Sequence, residues 1–134
     1  MPPRGQTDRR LLVVEDDPFI MDLLVMRLEL VGYAVGKARN GRQALSQLGE
    51  FRPDAMLLDL NMPELDGFGV LRSMKARGLL ASVPTMVLSA RNAVADVGAA
   101  IELGARDYLS KPFRDEQLVS RVGRLLRAPR SLAS

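Results

Sequence analysis

The chain has 134 residues, a formal net charge of +3, no cysteine and no histidine. That length suits one domain with one core. The two missing residue types exclude a disulfide framework, a thiolate or histidine zinc site, a Ser-His-Asp triad and phosphohistidine chemistry within this chain.

No apolar run approaches the length of a membrane span, and the first ten residues carry charge without the apolar stretch of a secretory signal. A reducing cytoplasm is the expected compartment. Arg4, Arg9 and Arg10 crowd one end, and Arg114, Arg121, Arg124, Arg127 and Arg130 the other. They read as solvated helix faces and tails. Nucleic-acid binding through the Arg-rich last helix is the sharper alternative, but interleaved aromatics and a recognisable reading motif are lacking.

The elements alternate. Leu11-Leu12-Val13-Val14 is a short apolar run that ends in Glu15-Asp16-Asp17, as a strand buried on both faces does. Asp17 is a good N-cap and Pro18 a good first helical residue. Ile20, Leu23, Leu24, Leu28 and Val31 form the core stripe of a helix that stops at Gly32. Tyr33 to Ala38 is a weak strand whose Gly36 and Lys37 suit a sheet edge. Asn40 caps a helix carrying Ala44, Leu45 and Leu48.

Pro53-Asp54 leads into the strand that ends at Asp59. Asn61, Pro63 and Asp66-Gly67 mark the loop beyond it. A third helix carries Phe68, Leu71 and Met74 and ends near Gly78. Pro84 opens the strand Thr85-Met86-Val87-Leu88, which runs into Ser89. The fourth helix, about Ala93 to Leu103, has mediocre propensity because it contains Gly98. Tyr108-Leu109-Ser110 delivers Lys111-Pro112. Leu118, Val122 and Leu125 mark the last helix, and Pro129 stops it.

Five strands alternating with five helices on short connections predict an α/β fold, a parallel sheet with helices on both faces. In such sheets ligands bind beyond the carboxyl ends of the strands. Three acids (Glu15, Asp16, Asp59), the hydroxyl of Ser89 and the ammonium of Lys111 then converge on one edge. A carboxylate that accepts phosphate becomes an acyl phosphate. Bringing two anions together calls for a hard cation such as Mg²⁺, which takes oxygen ligands. Glu15, Asp16 and Asp59 supply carboxylates, and the backbone carbonyl of Asn61 is a further candidate ligand. Lys111 and Ser89 are placed to meet phosphoryl oxygens.

The strings Val13-Val14-Glu15-Asp16-Asp17, Leu58-Asp59-Leu60-Asn61-Met62-Pro63 with Asp66-Gly67, Leu88-Ser89-Ala90, and Tyr108-Leu109-Ser110-Lys111-Pro112-Phe113 together resemble the receiver domain of two-component response regulators, of the single-domain, CheY-like kind. The likeness covers about residues 10–128, leaving 1–9 as a disordered arm and 129–134 as a tail. It implies a doubly wound, flavodoxin-like five-stranded sheet in the order 2-1-3-4-5. It implies Asp59 as phosphoacceptor, Mg²⁺ (or Mn²⁺) as cofactor, and a sensor histidine kinase or histidine phosphotransfer protein as donor. The family's acid pair maps to Glu15 and Asp16. Its switch residues map to Ser89 and Tyr108. Its cis peptide maps to Lys111-Pro112. Output is expected through a protein partner on the face of the fourth helix, fifth strand and fifth helix.

The dimer common among DNA-binding receivers is not expected. Asp107 and Arg121 match its ion pairs, but Val97, Arg106 and Gln117 depart from them, so a monomer or weak dimer follows. A stand-alone signalling switch is the first reading, without membrane insertion, direct DNA binding or turnover of a small substrate. A receiver cut from a longer regulator or hybrid kinase is the alternative. A haloacid-dehalogenase-like phosphatase is disfavoured by chain order, since there the nucleophile ends the first strand and the acid pair comes last. It also needs a second Asp two residues beyond the nucleophile, where this chain has Asn61.

Overall fold

In the computed structural model, which describes residues 9–127, five parallel strands lie in the order β2-β1-β3-β4-β5. They are β1 (Arg10–Val14), β2 (Ala34–Ala38), β3 (Ala55–Leu58), β4 (Thr85–Ser89) and β5 (Asp107–Ser110). The helices between and after them are α1 (Pro18–Val31), α2 (Gly41–Glu50), α3 (Gly67–Ala76), α4 (Val94–Glu102) and α5 (Asp115–Arg127). This is the flavodoxin-like, doubly wound α/β fold that the sequence predicts. The expected tail, and residues 1–8 of the expected arm, lie outside the described residues.

Arg9, assigned to the arm from sequence, belongs to the folded body. Its carbonyl accepts from the amide of Ala34, and its guanidinium donates to the carbonyl of Leu126 at 3.1 Å.

Apart from the exposed Arg10 that opens β1, the residues of β1, β3 and β4 are all buried, and their apolar side chains divide between two cores. Side chains alternate across the sheet. Leu11, Val13, Leu57, Met86 and Leu88 pack with Met21, Leu24, Val25 and Leu28 of α1 and Leu118, Val122 and Leu125 of α5. Leu12, Val14, Met56, Leu58 and Val87 pack with Ala44 of α2, Val70, Leu71 and Met74 of α3 and Ala100 of α4. The weak strand β2 takes the edge, as its Gly and Lys suggested.

Local signals set the helix starts. Asp17 Oδ1 accepts from the amides of Phe19 and Ile20, with Pro18 at the first helical turn. Asn40 and Asp66 cap α2 and α3 in the same way. The exception is α4, whose cap position is Ala93 and makes no side-chain hydrogen bond. Only Ala100 of α4 is fully buried. Gly98 interrupts it at a point where a Cβ would meet nothing.

Candidate functional site

The functional side chains stand one step past their strands, where the backbone ladder still runs. The Asp59 amide donates to the Val14 carbonyl at 3.1 Å, the Glu15 amide to Ala38 at 3.0 Å and the Lys111 amide to Ser89 at 2.8 Å. Their main chains are therefore held as the sheet is held. Glu15 and Asp59 are 2% and 6% exposed, and Ser89 is fully buried.

One carboxylate oxygen each from Glu15, Asp16 and Asp59 lies within 4.8 Å of the others. Three anions that close repel, and burial denies them water. Burial pushes the Asp59 carboxyl up to about 6; the Lys111 ammonium works against the rise, and the neighbouring Glu15 carboxylate adds to it. Lys111 Nζ is 2.8 Å from Glu15 Oε1 and 4.0 Å from Asp59 Oδ1. A cluster of carboxylate oxygens on a rigid edge, with the Lys111 ammonium as the one neutralising cation in contact among the described residues, fits a hard divalent cation. These donors suit Mg²⁺ and, by the same oxygen preference, Mn²⁺.

The loop after Asp59 wraps back over it. The Asn61 amide donates to Asp59 Oδ1 at 3.4 Å, and the Gly67 amide to the Leu60 carbonyl at 3.0 Å. Gly67 is required here by space: a Cβ would stand 2.5 Å from the Asp59 carbonyl oxygen and 2.7 Å from the Leu60 Cα. An open cleft of about 400 Å³ follows, lined by Asp16, Asn61, Met62, Pro63, Asp66 and Arg91 among others.

On the other side, Ser89 Oγ accepts from the Arg91 amide at 3.1 Å. The Tyr108 hydroxyl donates to the Arg91 carbonyl in a short hydrogen bond. Tyr108 is half-buried, and burial pushes its phenol up. The Lys111–Pro112 peptide is cis. The residues that the sequence points to for the phosphoryl and cation chemistry, Glu15, Asp16, Asp59, Asn61, Ser89 and Lys111, thus stand at this edge, with Tyr108 bonded to Arg91 beside it. Among the described residues no buried side-chain nitrogen or oxygen lacks a partner.

The model of the response regulator receiver domain family matches residues 11–123. The chain belongs to that family. Among curated proteins it is similar to the transcriptional regulatory protein PrrA of Mycobacterium tuberculosis, with 46% identity over 130 residues, 97% of this chain and 55% of that protein. It is also similar to the response regulator MprA of Mycolicibacterium vanbaalenii, with 43% identity over 118 residues, 88% of this chain and 50% of that protein. The chain therefore spans about half the length of these curated relatives. Solved structures agree on the fold. The receiver domain of the Francisella response regulator 1452 superposes with a TM-score of 0.83 at 28% identity, covering 90% of this chain and 98% of that one. The Vibrio cholerae chemotaxis protein CheY4 superposes at 0.81 with 27% identity, covering 87% and 98%. No helix among the described residues is long and apolar enough to cross a membrane.

Two features of this receiver escape a sequence reading. Leu23, which the helical spacing places on the core stripe of α1, lies outside, and Met21 and Val25 take core positions. With Phe19, Met26 and Leu30 it makes an exposed apolar row spaced four, three and four residues apart. The available signal was a helix apolar on most of its circumference, which implies a second contact besides the core. Arg91 was also overlooked. No motif marks it, and only the fold brings it to the cleft.

Proposed function

We propose that this receiver is a phosphorylation switch in which Asp59 accepts a phosphoryl group from a histidine kinase or a histidine phosphotransfer protein. The observation that carries the reading is the buried Asp59 carboxylate, with Glu15 and Asp16 within 4.8 Å and Lys111 Nζ 4.0 Å away. In the transfer, an Asp59 carboxylate oxygen bonds to phosphorus as the bond from phosphorus to the donor's ring nitrogen breaks, and the electron pair leaves with that nitrogen. In the discharge, a water oxygen bonds to phosphorus as the bond from phosphorus to the Asp59 oxygen breaks, which returns a free carboxylate and inorganic phosphate.

Glu15, Asp16 and Asp59, with the Asn61 carbonyl as a further ligand, would hold Mg²⁺, which would supply charge neutralisation for an anionic phosphoryl group. The chain's own residues do the rest. The sheet orients Asp59, Lys111 meets a phosphoryl oxygen, and the Ser89 hydroxyl reaches another by giving up the Arg91 amide. Because the Tyr108 hydroxyl bonds to the same residue, movement of Ser89 and Arg91 is transmitted to β5. That makes the change a shift between two populations of the α4–β5–α5 face, read by a protein partner.

The outer row of α1 supports the donor assignment. Phe19 and Leu30 are 71% and 72% exposed, Leu23 and Met26 about half. Side chains of this size present on the order of 400 Å² of apolar surface, enough to mark an interaction site. A row repeating every three or four residues fits a helical partner. Phe19, in the first turn of α1, stands at the end of the row that follows the site's acids Glu15 and Asp16 in the chain.

The switch is not a turnover enzyme on a small substrate, and its compartment is the cytoplasm. Pairing through the α4–β5–α5 face is disfavoured, because Asp107 is already engaged within the chain: Arg121 contacts both its oxygens, at 2.9 and 3.1 Å. One observation favours a second reading. The relative PrrA is about twice as long and is a transcriptional regulatory protein; a receiver that controls transcription would act through a further domain.

The deciding experiment incubates the chain with Mg²⁺ and acetyl phosphate and maps the modified residue by mass spectrometry. Phosphate on Asp59, lost in Asp59→Asn and in excess chelator, is expected. Incorporation that persists in either control would falsify the reading.

A further inference from the structure

The phosphoacceptor reading uses the main chain of Arg91 and leaves its side chain without a role. Its backbone is well anchored, by the amide bond to Ser89 Oγ and the carbonyl bond from Tyr108. Its guanidinium is not. It stands 3.9 Å from Asp96 Oδ2 in the first turn of α4, with the two side chains 41% and 31% exposed. It also lies 5.7 Å from the centre of the Phe68 ring, near the outer limit for a cation–π contact. A partly exposed pair at the long end of the ion-pair range is weak and readily exchanged.

Arg91 nevertheless borders the cleft that Asp16, Asn61 and Asp66 also line, and it is the only cationic residue among the described residues lining it. Lys111, the other cation of the site, is already on Glu15 at 2.8 Å. A phosphoryl dianion arriving at Asp59 therefore meets a cluster of carboxylates and one mobile positive charge.

We propose that Arg91 is an exchangeable positioning residue, held off the cleft by Asp96 and drawn to the phosphoryl group when one arrives. The inference rests on Asp59 being the phosphoacceptor. It adds a second link from the site to α4, separate from the Ser89–Tyr108 route, because the exchange releases Asp96. That helix is the least anchored of the fold, with no side-chain cap at Ala93 and Ala100 as its single fully buried residue.

The test measures the phosphorylation rate of the chain with two small donors in Mg²⁺, at low and high salt. Acetyl phosphate is a dianion at neutral pH; phosphoramidate, protonated on nitrogen, carries one less net negative charge. Arg91→Ala should slow acetyl phosphate about two- to five-fold, the size of a partly exposed charge pair. The loss should be smaller with phosphoramidate and should fade at high salt. Arg91→Lys should recover much of the rate. Asp96→Asn should raise the rate by up to a similar factor, and should change nothing in the Arg91→Ala background. Equal slowing with both donors, or additive effects of Arg91→Ala and Asp96→Asn, would overturn the proposal and leave Arg91 a structural residue. If the unaltered chain takes up phosphate from neither donor, the phosphoacceptor reading itself fails, and this inference fails with it.

Discussion

Lys111 is bonded to Glu15, and only secondarily faces Asp59: its Nζ is 2.8 Å from Glu15 Oε1 against 4.0 Å from Asp59 Oδ1. In this arrangement the ammonium occupies the charge that a divalent cation would use. On the proposed reading, Lys111 and a divalent cation would compete for Glu15, while the phosphoryl group would need both.

Removing the ammonium should therefore separate binding from reaction. In Lys111→Ala the Mg²⁺ affinity is expected to hold or to tighten by about two- to ten-fold, as repulsion between like charges is relieved at an effective dielectric near 20. Phosphorylation by acetyl phosphate should fall by at least about ten-fold, the scale of losing one charge-stabilising contact. Isothermal titration with Mg²⁺ reads the first effect and phosphate incorporation the second. A large loss of Mg²⁺ affinity would show that Lys111 builds the cation site and does not compete with it.

Asp59 should make stability depend on pH. Its folded-state pKa is raised to about 6 from an ordinary value of 3.8. A raised acid contributes most below the unfolded pKa, and that contribution is lost as pH rises through the folded one. The metal-free protein should thus lose stability between about pH 4 and 6 on this account. Asp59→Asn should remove that loss, gaining about 1–2 kcal/mol at pH 7 and much less at pH 4, where the carboxyl is protonated in the folded state anyway. Denaturant melts of both proteins in chelator, across that range, measure the difference. A gain of equal size at pH 4 and pH 7 would assign it to packing and not to charge.

Gly67 is set by contact. With a Cβ 2.5 Å from the Asp59 carbonyl oxygen, Gly67→Ala must displace backbone at the proposed phosphoacceptor. A destabilisation of about 2 kcal/mol or more is expected, in the range of overpacked core sites. Phosphorylation should slow even where the protein remains folded. Gly98→Ala is the contrasting control. Its Cβ enters open space in mid-helix, so it should stabilise by roughly 0.5–1 kcal/mol. Similar melting temperatures for the two variants would contradict the assignment.

The outer row of α1 should matter to one donor and not another. Leu23→Glu with Leu30→Glu alters side chains that are 47% and 72% exposed, so stability should change by no more than about 1 kcal/mol for the pair. Transfer from the phosphorylated histidine domain of its kinase is expected to slow by about ten-fold or more, as loss of apolar anchors at an interface does. Phosphorylation by acetyl phosphate should be unchanged. Equal slowing with both donors would mean the substitutions reach the site itself.

Much of this protein is legible in one dimension. Short apolar runs such as Leu11–Val14 and Ala55–Leu58, bounded by turn residues, read as strands buried on both faces, and a polar residue at the end of each then emerges at the sheet edge. Asp17, Asn40 and Asp66 announce their helices because capping is chemistry between near neighbours. Glu15, Asp16, Asp59, Ser89 and Lys111 could be found from sequence for that reason: parallel topology turns four strand ends into one place. What it could not decide is which charge touches which. Lys111 chooses Glu15 over Asp59 by about an ångström, and Arg121 reaches both oxygens of Asp107, through side-chain geometry set by packing. Leu23 could not be told from Met21 on a helix apolar nearly all round, since only the position of the sheet fixes which face is inside. Arg91 had no signal at all, because its significance comes entirely from residues far along the chain that the fold sets around it.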